Sequence, residues 1–470
     1  MSYAMIDVTV LVALLKSTRD PHQCPSIYMY FHENQLTTPF TSQDRDLHKA
    51  QPTHWHYGMA HWRSLLVADG CIFNSQTHLN DFAHALPKAL KQQCPIDSRD
   101  WQLDKCQELL SKKCTVLRYG LELDELVTLG RESVERGGTA DAETPTRNVL
   151  IDEGTNQRIP VILWNARLEE DKNPGAFLDL LQTTESKTTM PFRLIILGTD
   201  PSKEQKWYNK LKQDFGDRIL FMGWCQDRQE YSRYLSQASI VVSTANHETF
   251  GISIVESVHC GALPLLPCRL SYPEIFESVP NAKERYLYKQ SGKDGVRKLI
   301  KLLELVALPD QEVYAIAQAT LLNATQQFLW KIMGPVYDLF WANLCNGEAI
   351  VDAGNQASSL SKALGEKLYA ETIQSKKVRV DDDSVPKEPV ALVQVTRIDN
   401  ADDIRVQLFR PKSLRNHKEY NRQWSGLRSK GIEPALHGGR RAMVRMLEAI
   451  DYGAKIRPIS FLTTPELAET

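Results

Sequence analysis

Residues His247-Glu248-Thr249-Phe250-Gly251-Ile252-Ser253-Ile254-Val255-Glu256 decide how this chain is read. The run just before them, Ser239–Ser243, is short, apolar and β-branched, which predicts a buried strand. The run after Gly251 is predicted to be helical. A strand–loop–helix passage puts its loop beyond the carboxyl end of a strand, where ligands bind in open α/β sheets. Glu248 falls in that loop. Gly251 lets the backbone approach a ligand closely. Free amides around Phe250, Gly251, Ile252 and Ser253 begin the helix and suit a phosphate. Glu256, about one turn further on, can accept from two adjacent hydroxyls such as those of a ribose. Two glutamates with seven residues between them are a weak signal alone, because solvated helices are rich in glutamate. The strand–loop–helix context gives the pair its weight.

Working outward, Trp164-Asn165-Ala166-Arg167 and then Lys172-Asn173-Pro174 follow a second apolar run, Pro160–Trp164. Arg167 offers a bidentate fork and Lys172 a point charge, a combination that stabilises a departing diphosphate without a metal. Ion pairing with Glu169, Glu170 or Asp171 is the plainer alternative. A third element, Phe31-His32-Glu33-Asn34-Gln35, closes the run Ile27–Phe31. His32 sits where a catalytic or substrate-orienting group is expected, with Glu33 and Asn34 beside it; a structural histidine is the alternative.

Short β-branched or aromatic runs recur along the chain: Cys71–Phe73, Thr115–Arg118, Arg193–Leu197, Ile219–Met222 and Ala262–Leu266 join the three above. Amphipathic stretches lie between them: 59–68, 77–90, 175–181, 204–215, 229–236, 252–260 and 292–305. This alternation implies an α/β protein with parallel sheets covered on both faces. A further helix is expected over 324–344, its aromatic residues read as packing. The polar stretch 131–157 reads as a surface loop or linker.

The expected organisation is an N-terminal half over 1–145, a second half over 146–345, a linker over 346–388 and an appended region over 389–470, with strands at 390–395 and 404–409 and a helix at 441–450. From Arg410 to Arg457 the sequence carries twelve Lys or Arg against four acids, which suits either phosphate-backbone contact or a solvated basic face.

With 470 residues, the chain is long enough for two or three domains. A net charge of −2 removes any whole-chain basic field for nucleic acid or anionic membrane. Nine scattered cysteines without a CxxC pair argue against a disulfide framework or a zinc site, and for reduced thiols. The spacing of His54, His56 and His61 is not that of a zinc site. No GxGxxG and no phosphate-binding P-loop occurs; Gly292-Lys293-Asp294 lacks the flanking residues of the latter. No apolar run approaches the ~20 residues that span a bilayer, so no membrane contact is expected.

Four segments together resemble a known family: Tyr30-Phe31-His32-Glu33-Asn34-Gln35-Leu36; Leu66-Val67-Ala68-Asp69 with Phe73-Asn74-Ser75; Ser243-Thr244-Ala245 running on to Glu256; and Tyr272-Pro273-Glu274-Ile275-Phe276. The last stretch of the third is similar to the donor signature of retaining glycosyltransferases of the two-Rossmann, or GT-B, type. As a set they resemble the glycosyltransferase-like domain-containing proteins identified as tRNA-queuosine alpha-mannosyltransferases, over roughly residues 5 to 345. The resemblance implies a cytoplasmic hexosyltransferase that moves mannose from GDP-mannose to queuosine in a tRNA anticodon, with retention of configuration and without a cofactor or divalent metal. It implies Arg167 and Lys172 on the diphosphate, Glu248 on the donor sugar, Glu256 on the ribose, and His32, Glu33 and Asn34 on the acceptor side. A lipid or glycan acceptor, or a non-catalytic RNA-binding role, are the alternatives. The family opens with a strand, a Gly-rich loop and a helix, whereas the first glycine here is Gly58. The N-terminal half is therefore expected to lack its first βα unit. All these roles require Glu248, Glu256, Arg167 and Lys172 to converge.

Overall fold

The computed structural model describes residues 26–34, 36–37, 55–93, 96–137, 150–151, 157–198, 206–289, 292–308, 311–376, 390–397, 404–409, 435–436 and 457–459. They fall in two compact units, Met1–Gly365 and Glu366–Thr470. The segment on which the missing opening unit bears, 1–25, lies outside the described residues, as do the expected helix 441–450 and almost all of the basic stretch 410–457.

The first unit is α/β and consists of two Rossmann-like halves. In the first half, β1 (Tyr28–Phe31), β2 (Gly70–Phe73) and β3 (Cys114–Val116) pair in parallel in that order. Helix α1 (Trp55–Val67) links β1 to β2, and α2 (Gln76–Gln93) with α3 (Ile96–Lys113) links β2 to β3. Side chains alternate across a strand. Phe31, Cys71, Phe73 and Cys114 thus join one core with Trp62, Leu65, Phe82, Leu86 and Leu109 of the three helices. Ile72 joins a different core on the opposite face. His61 packs its ring against Phe31 and Phe82, and burial pushes its pKa down to about 4.

Helix α4 (Leu123–Gly137) follows, and then β4 (Val161–Asn165), α5 (Pro174–Glu185), β5 (Arg193–Leu197), α6 (Lys206–Phe215), β6 (Ile219–Gly223), α7 (Arg228–Gln237), β7 (Ile240–Val242), α8 (Ile252–His259) and β8 (Leu263–Pro267). Short helices α9 (Tyr272–Ile275) and α10 (Ala282–Arg285) lead to β9 (Leu287–Tyr288), α11 (Gly292–Ala307) and α12 (Glu312–Gln326). The parallel sheet runs β6-β5-β4-β7-β8-β9. Strands β4, β7 and β8 are buried throughout, as expected of a sheet covered on both faces. Strand order reverses between β4 and β7, so the loops that follow these two strands flank the switch point.

Helices α13 (Trp330–Cys345) and α14 (Ile350–Lys376) then return to the first half. Met333, Val336, Phe340, Ile350, Ala353 and Ala357 pack with Ile72 and Leu117, and cover the face of the first sheet left bare by α1–α3. Residues 350–376, expected as a linker, are therefore a helix whose first turns are core. Helix α4 packs on α7 of the second half, with the Ser232 hydroxyl donating to the Leu126 carbonyl. The expected helix over 324–344 is broken at 327–329. There Leu121 takes over the backbone: its amide donates to the Phe328 carbonyl at 2.7 Å and its carbonyl accepts from the Trp330 amide at 3.2 Å.

In the second unit, β10 (Val390–Arg397) pairs antiparallel with β11 (Ile404–Phe409), in a sheet ordered β12 (Ala435–Leu436), β11, β10, β13 (Arg457–Ile459). The two longer strands match the expected ones closely. Within both units, no helix among the described residues is long and apolar enough to cross a membrane.

Phe340 lies fully buried between the returning helices and the first sheet. Phe340→Ala should cost about 3–5 kcal/mol. Hydrogen exchange is expected to show the loss at the amides of β2 as well as in α13, whereas a change confined to α13 would contradict this packing.

Candidate functional site

The β4 loop is shaped by local rules. Asn165, at the strand end, is buried, and its amide donates to the Tyr231 hydroxyl, the Ser253 carbonyl and the Ser257 hydroxyl at 2.8, 3.1 and 3.1 Å. A 3-10 turn over Glu170–Lys172 ends at Asn173, which holds the left-handed conformation at φ 54°. The Asn173 side chain then caps α5, accepting from the Ala176 amide, and Pro174 starts that helix. Gly198, after β5, has φ +84°, and a Cβ there would lie 2.9 Å from the Ala166 backbone. Only glycine lets the β5 turn pass so close beneath the segment carrying Arg167.

The β7 loop is stitched to the β4 loop through main-chain groups. The Asp171 carbonyl accepts from the amides of Asn246 and His247 at 2.8 and 3.2 Å. The Thr244 hydroxyl meets the carbonyls of Lys172 and Asn173 at 3.0 and 2.9 Å. Lys172 is thereby aimed at the β7 loop. Its ammonium donates to the His247 carbonyl at 3.0 Å and lies 3.3 Å from Glu248 and 3.2 Å from Asp171. Burial alone would lower the Lys172 pKa, but the Glu248 and Asp171 carboxylates outweigh it and hold the pKa above its ordinary value. Burial and the neighbouring Lys172 together push the His247 imidazole down.

Gly251 opens α8 at φ +96°, a conformation that favours glycine. The Tyr272 ring would stand 3.1 Å from a Cβ there. Phe250 is buried, its ring edge-to-face with Tyr119 and Phe328. Its side chain therefore packs, and only its main chain is left to serve a ligand. Ile252 is more than a third exposed at the helix start. Glu256, inside α8, accepts from the Tyr231 hydroxyl at 2.7 Å and lies 3.9 Å from Arg228, and burial raises its pKa.

Lys172 and Glu248 are thus in contact, and Glu256 is tied through Tyr231 to Asn165 at the start of the Arg167 loop. Arg167 itself is exposed and turned onto Glu169 at 3.1 Å, the plainer pairing foreseen for it. Sequence reasoning did not single out Tyr231, Arg228 or His78. Arg228 binds Glu125 at 2.8 Å as well as approaching Glu256. Only the spacing of polar residues on one helical face could have signalled Arg228 and Tyr231.

On the first half, His32 and Glu33 are exposed beyond β1 while Asn34 is buried. The Asn34 side chain accepts from the Leu36 amide at 3.1 Å and its carbonyl accepts from the Thr37 amide, so Asn34 builds the turn. His32 Nδ1 lies 2.8 Å from the Tyr119 hydroxyl, with the rings stacked. Asn74 donates its amide to the His32 carbonyl and the Tyr119 hydroxyl, both at 3.2 Å, and its oxygen faces His78 Nδ1 at 2.9 Å. Because Tyr119 accepts from Asn74, its own proton goes to His32 Nδ1, leaving the ring hydrogen of neutral His32 on Nε2. His78 is buried and stays neutral, its pKa pushed down to about 3 by burial.

The two halves meet at this place. The Thr249 hydroxyl donates to the His32 carbonyl at 3.0 Å, and the Ser75 hydroxyl donates to the Thr249 carbonyl at 2.7 Å. Residues 1–121 match the family described as tRNA-queuosine alpha-mannosyltransferase N-terminal, and residues 150–319 match glycosyl transferases group 1. The chain is a glycosyltransferase whose N-terminal segment matches the tRNA-queuosine alpha-mannosyltransferase model. A curated relative in Drosophila melanogaster, a tRNA-queuosine alpha-mannosyltransferase, is 29% identical over 287 residues, which are 60% of this chain and 68% of that protein. Among solved structures, sucrose-phosphate synthase from Thermosynechococcus elongatus is 15% identical, with 72% of each chain covered and a TM-score of 0.48. Anabaena HepE in complex with UDP is 14% identical, with 72% of this chain and 76% of that one covered and a TM-score of 0.46. The glycosyltransferase group 1 domain in the second half, together with the curated relative, makes the chain a hexosyltransferase.

Tyr231 is the one hydroxyl joining Asn165 to Glu256. Tyr231→Phe strands both partners in a buried place and should cost about 1–3 kcal/mol, read from chemical denaturation. An unchanged midpoint would show that water replaces the hydroxyl.

Proposed function

We propose that this enzyme transfers mannose from GDP-mannose to the cyclopentenediol of queuosine in a tRNA anticodon, with retention of configuration. The observation that carries the reading is the Lys172–Glu248 contact at the switch point, directly under the half that matches the tRNA-queuosine alpha-mannosyltransferase N-terminal family. Lys172 stays charged beside its two carboxylates and stands ready to neutralise a departing diphosphate. Arg167 reaches the same phosphates by exchanging Glu169 for them. The amides of Gly251 and Ile252 add the positive end of α8. Glu256 takes the ribose hydroxyls, and Glu248 orients the sugar. These groups supply the positive charge that a divalent metal would otherwise bring.

On the acceptor side, His32 offers Nε2–H to the incoming diol, its ring fixed by Tyr119, with Glu33 beside it. A tRNA acceptor fits a cytoplasmic enzyme. Transfer to a lipid or glycan instead is a competing outcome of the same assay.

The test is radiolabelled transfer from GDP-mannose to queuosine-containing tRNA, with queuosine-free tRNA and lipid extracts as parallel acceptors. Label should appear in the first alone. Label in the lipid extract alone, or none anywhere while GDP binds, overturns the acceptor assignment. Glu256→Ala should weaken GDP by roughly 10- to 150-fold, since hydrogen bonds to a charged group are worth about 1.5–3 kcal/mol. His32→Ala removes a group that orients the acceptor and should lower turnover by on the order of 10²-fold with GDP affinity unchanged.

A further inference from the structure

Glu274 belongs to the second half, in α9, yet its carboxylate lies on the first half. Its Oε1 accepts from the Gln76 amide at 3.0 Å and from Arg118 at 3.2 Å. Its Oε2 accepts from the Thr77 amide at 2.9 Å and the Thr77 hydroxyl at 3.0 Å. A helix leaves its first four amides without partners inside itself. At α2 the amides of the first three helical residues are satisfied: Glu274 takes Gln76 and Thr77, and the Ser75 hydroxyl accepts from His78 at 3.0 Å. Two of these three caps therefore come from across the junction, and from a side chain that stays largely buried.

Both ends of this contact are wired to reactive groups. On its own side, Glu274 follows Tyr272, whose hydroxyl meets the Ser243 hydroxyl at 2.8 Å at the head of the Glu248 loop and whose ring packs on Gly251. On the other side, the capped turn begins directly after Asn74, which holds the His32 carbonyl and Tyr119 and comes within 3.3 Å of the Thr249 hydroxyl.

The structure assigns Glu274 the role of a positioning residue that sets the register of His32 against the Glu248 loop. Glu274 touches no substrate; it fixes the distance between the two halves of the reaction centre, which rests on the donor and acceptor sites proposed above. With the latch removed, each half keeps its own groups but loses their mutual placement. A misplacement of about 1 Å costs on the order of 10²-fold in rate.

The experiment uses the full chain, with Glu274→Ala and Glu274→Gln compared against wild type. Turnover and KM are measured for GDP-mannose with queuosine-containing tRNA, GDP affinity by calorimetry, and the melting temperature by scanning fluorimetry. Turnover should fall about 10- to 100-fold in Glu274→Ala. GDP affinity and the donor KM should stay within about twofold. Glu274→Gln, which keeps the length and one acceptor oxygen, should recover part of that loss. Unchanged turnover overturns the proposal. So does a parallel loss of turnover, GDP affinity and melting temperature in both variants, which marks an ordinary stabilising contact. Failure of the functional reading is distinguishable, because wild type itself would then show no transfer to this tRNA.

Discussion

The geometry of the reaction centre depends on the main-chain bonding between the loops that follow β4 and β7. These strands are neighbours in space but far apart in sequence, and nothing in either loop alone would aim Lys172 at Glu248. The Asp171 carbonyl, bonded to two successive amides of the β7 loop, does so. A buried ammonium with two carboxylates is tolerated only where the loops cannot drift, since loss of a partner leaves an uncompensated charge. Carbonyl and amide groups that must be satisfied in any case therefore double as the frame of the charge cluster.

The same economy operates between the two halves. Chain crossings at 121 and 329 lie side by side and are bridged by backbone hydrogen bonds. Around them, Phe250 packs on Tyr119, Arg228 binds Glu125, and Ser232 bonds the Leu126 carbonyl. Most of these contacts pair groups that are polar, short and directional, which suits two bodies that have to agree on one relative position. The first sheet carries two separate apolar cores, one on each face.

Much of this was legible in the sequence. Runs such as Arg193–Leu197 and Ile219–Met222 were readable as strands because buried parallel strands are nearly continuous in β-branched and aliphatic residues. The loops bearing Glu248 and Lys172 followed from them, because carboxyl ends of strands fix where loops emerge. Helix α3 escaped because its residues 96–113 are mostly polar, with weak amphipathic character. Residues 327–329 escaped for a different reason: local periodicity favours a continuous helix there, and the break is imposed by Leu121, far away in sequence. Arg167 was read from its position, but its exposed side chain answers to Glu169 close at hand. Asn34 stood in the right motif yet serves its own turn. Glu274 was visible only as part of a segment with a familiar look, because its partners lie 198 and 197 positions away.

The return of α13 and α14 to the first sheet sets the order in which the molecule can be finished during synthesis. Strands β1–β3 leave the ribosome early, with one face already clothed by α1–α3 and the other carrying Ile72 and Leu117 uncovered. The residues that cover that face, from Met333 to Ala357, are made only after the entire second half. The nascent chain thus holds an open apolar surface while a whole Rossmann half is being translated, a state that invites chaperones. The half that is born first is the last to close.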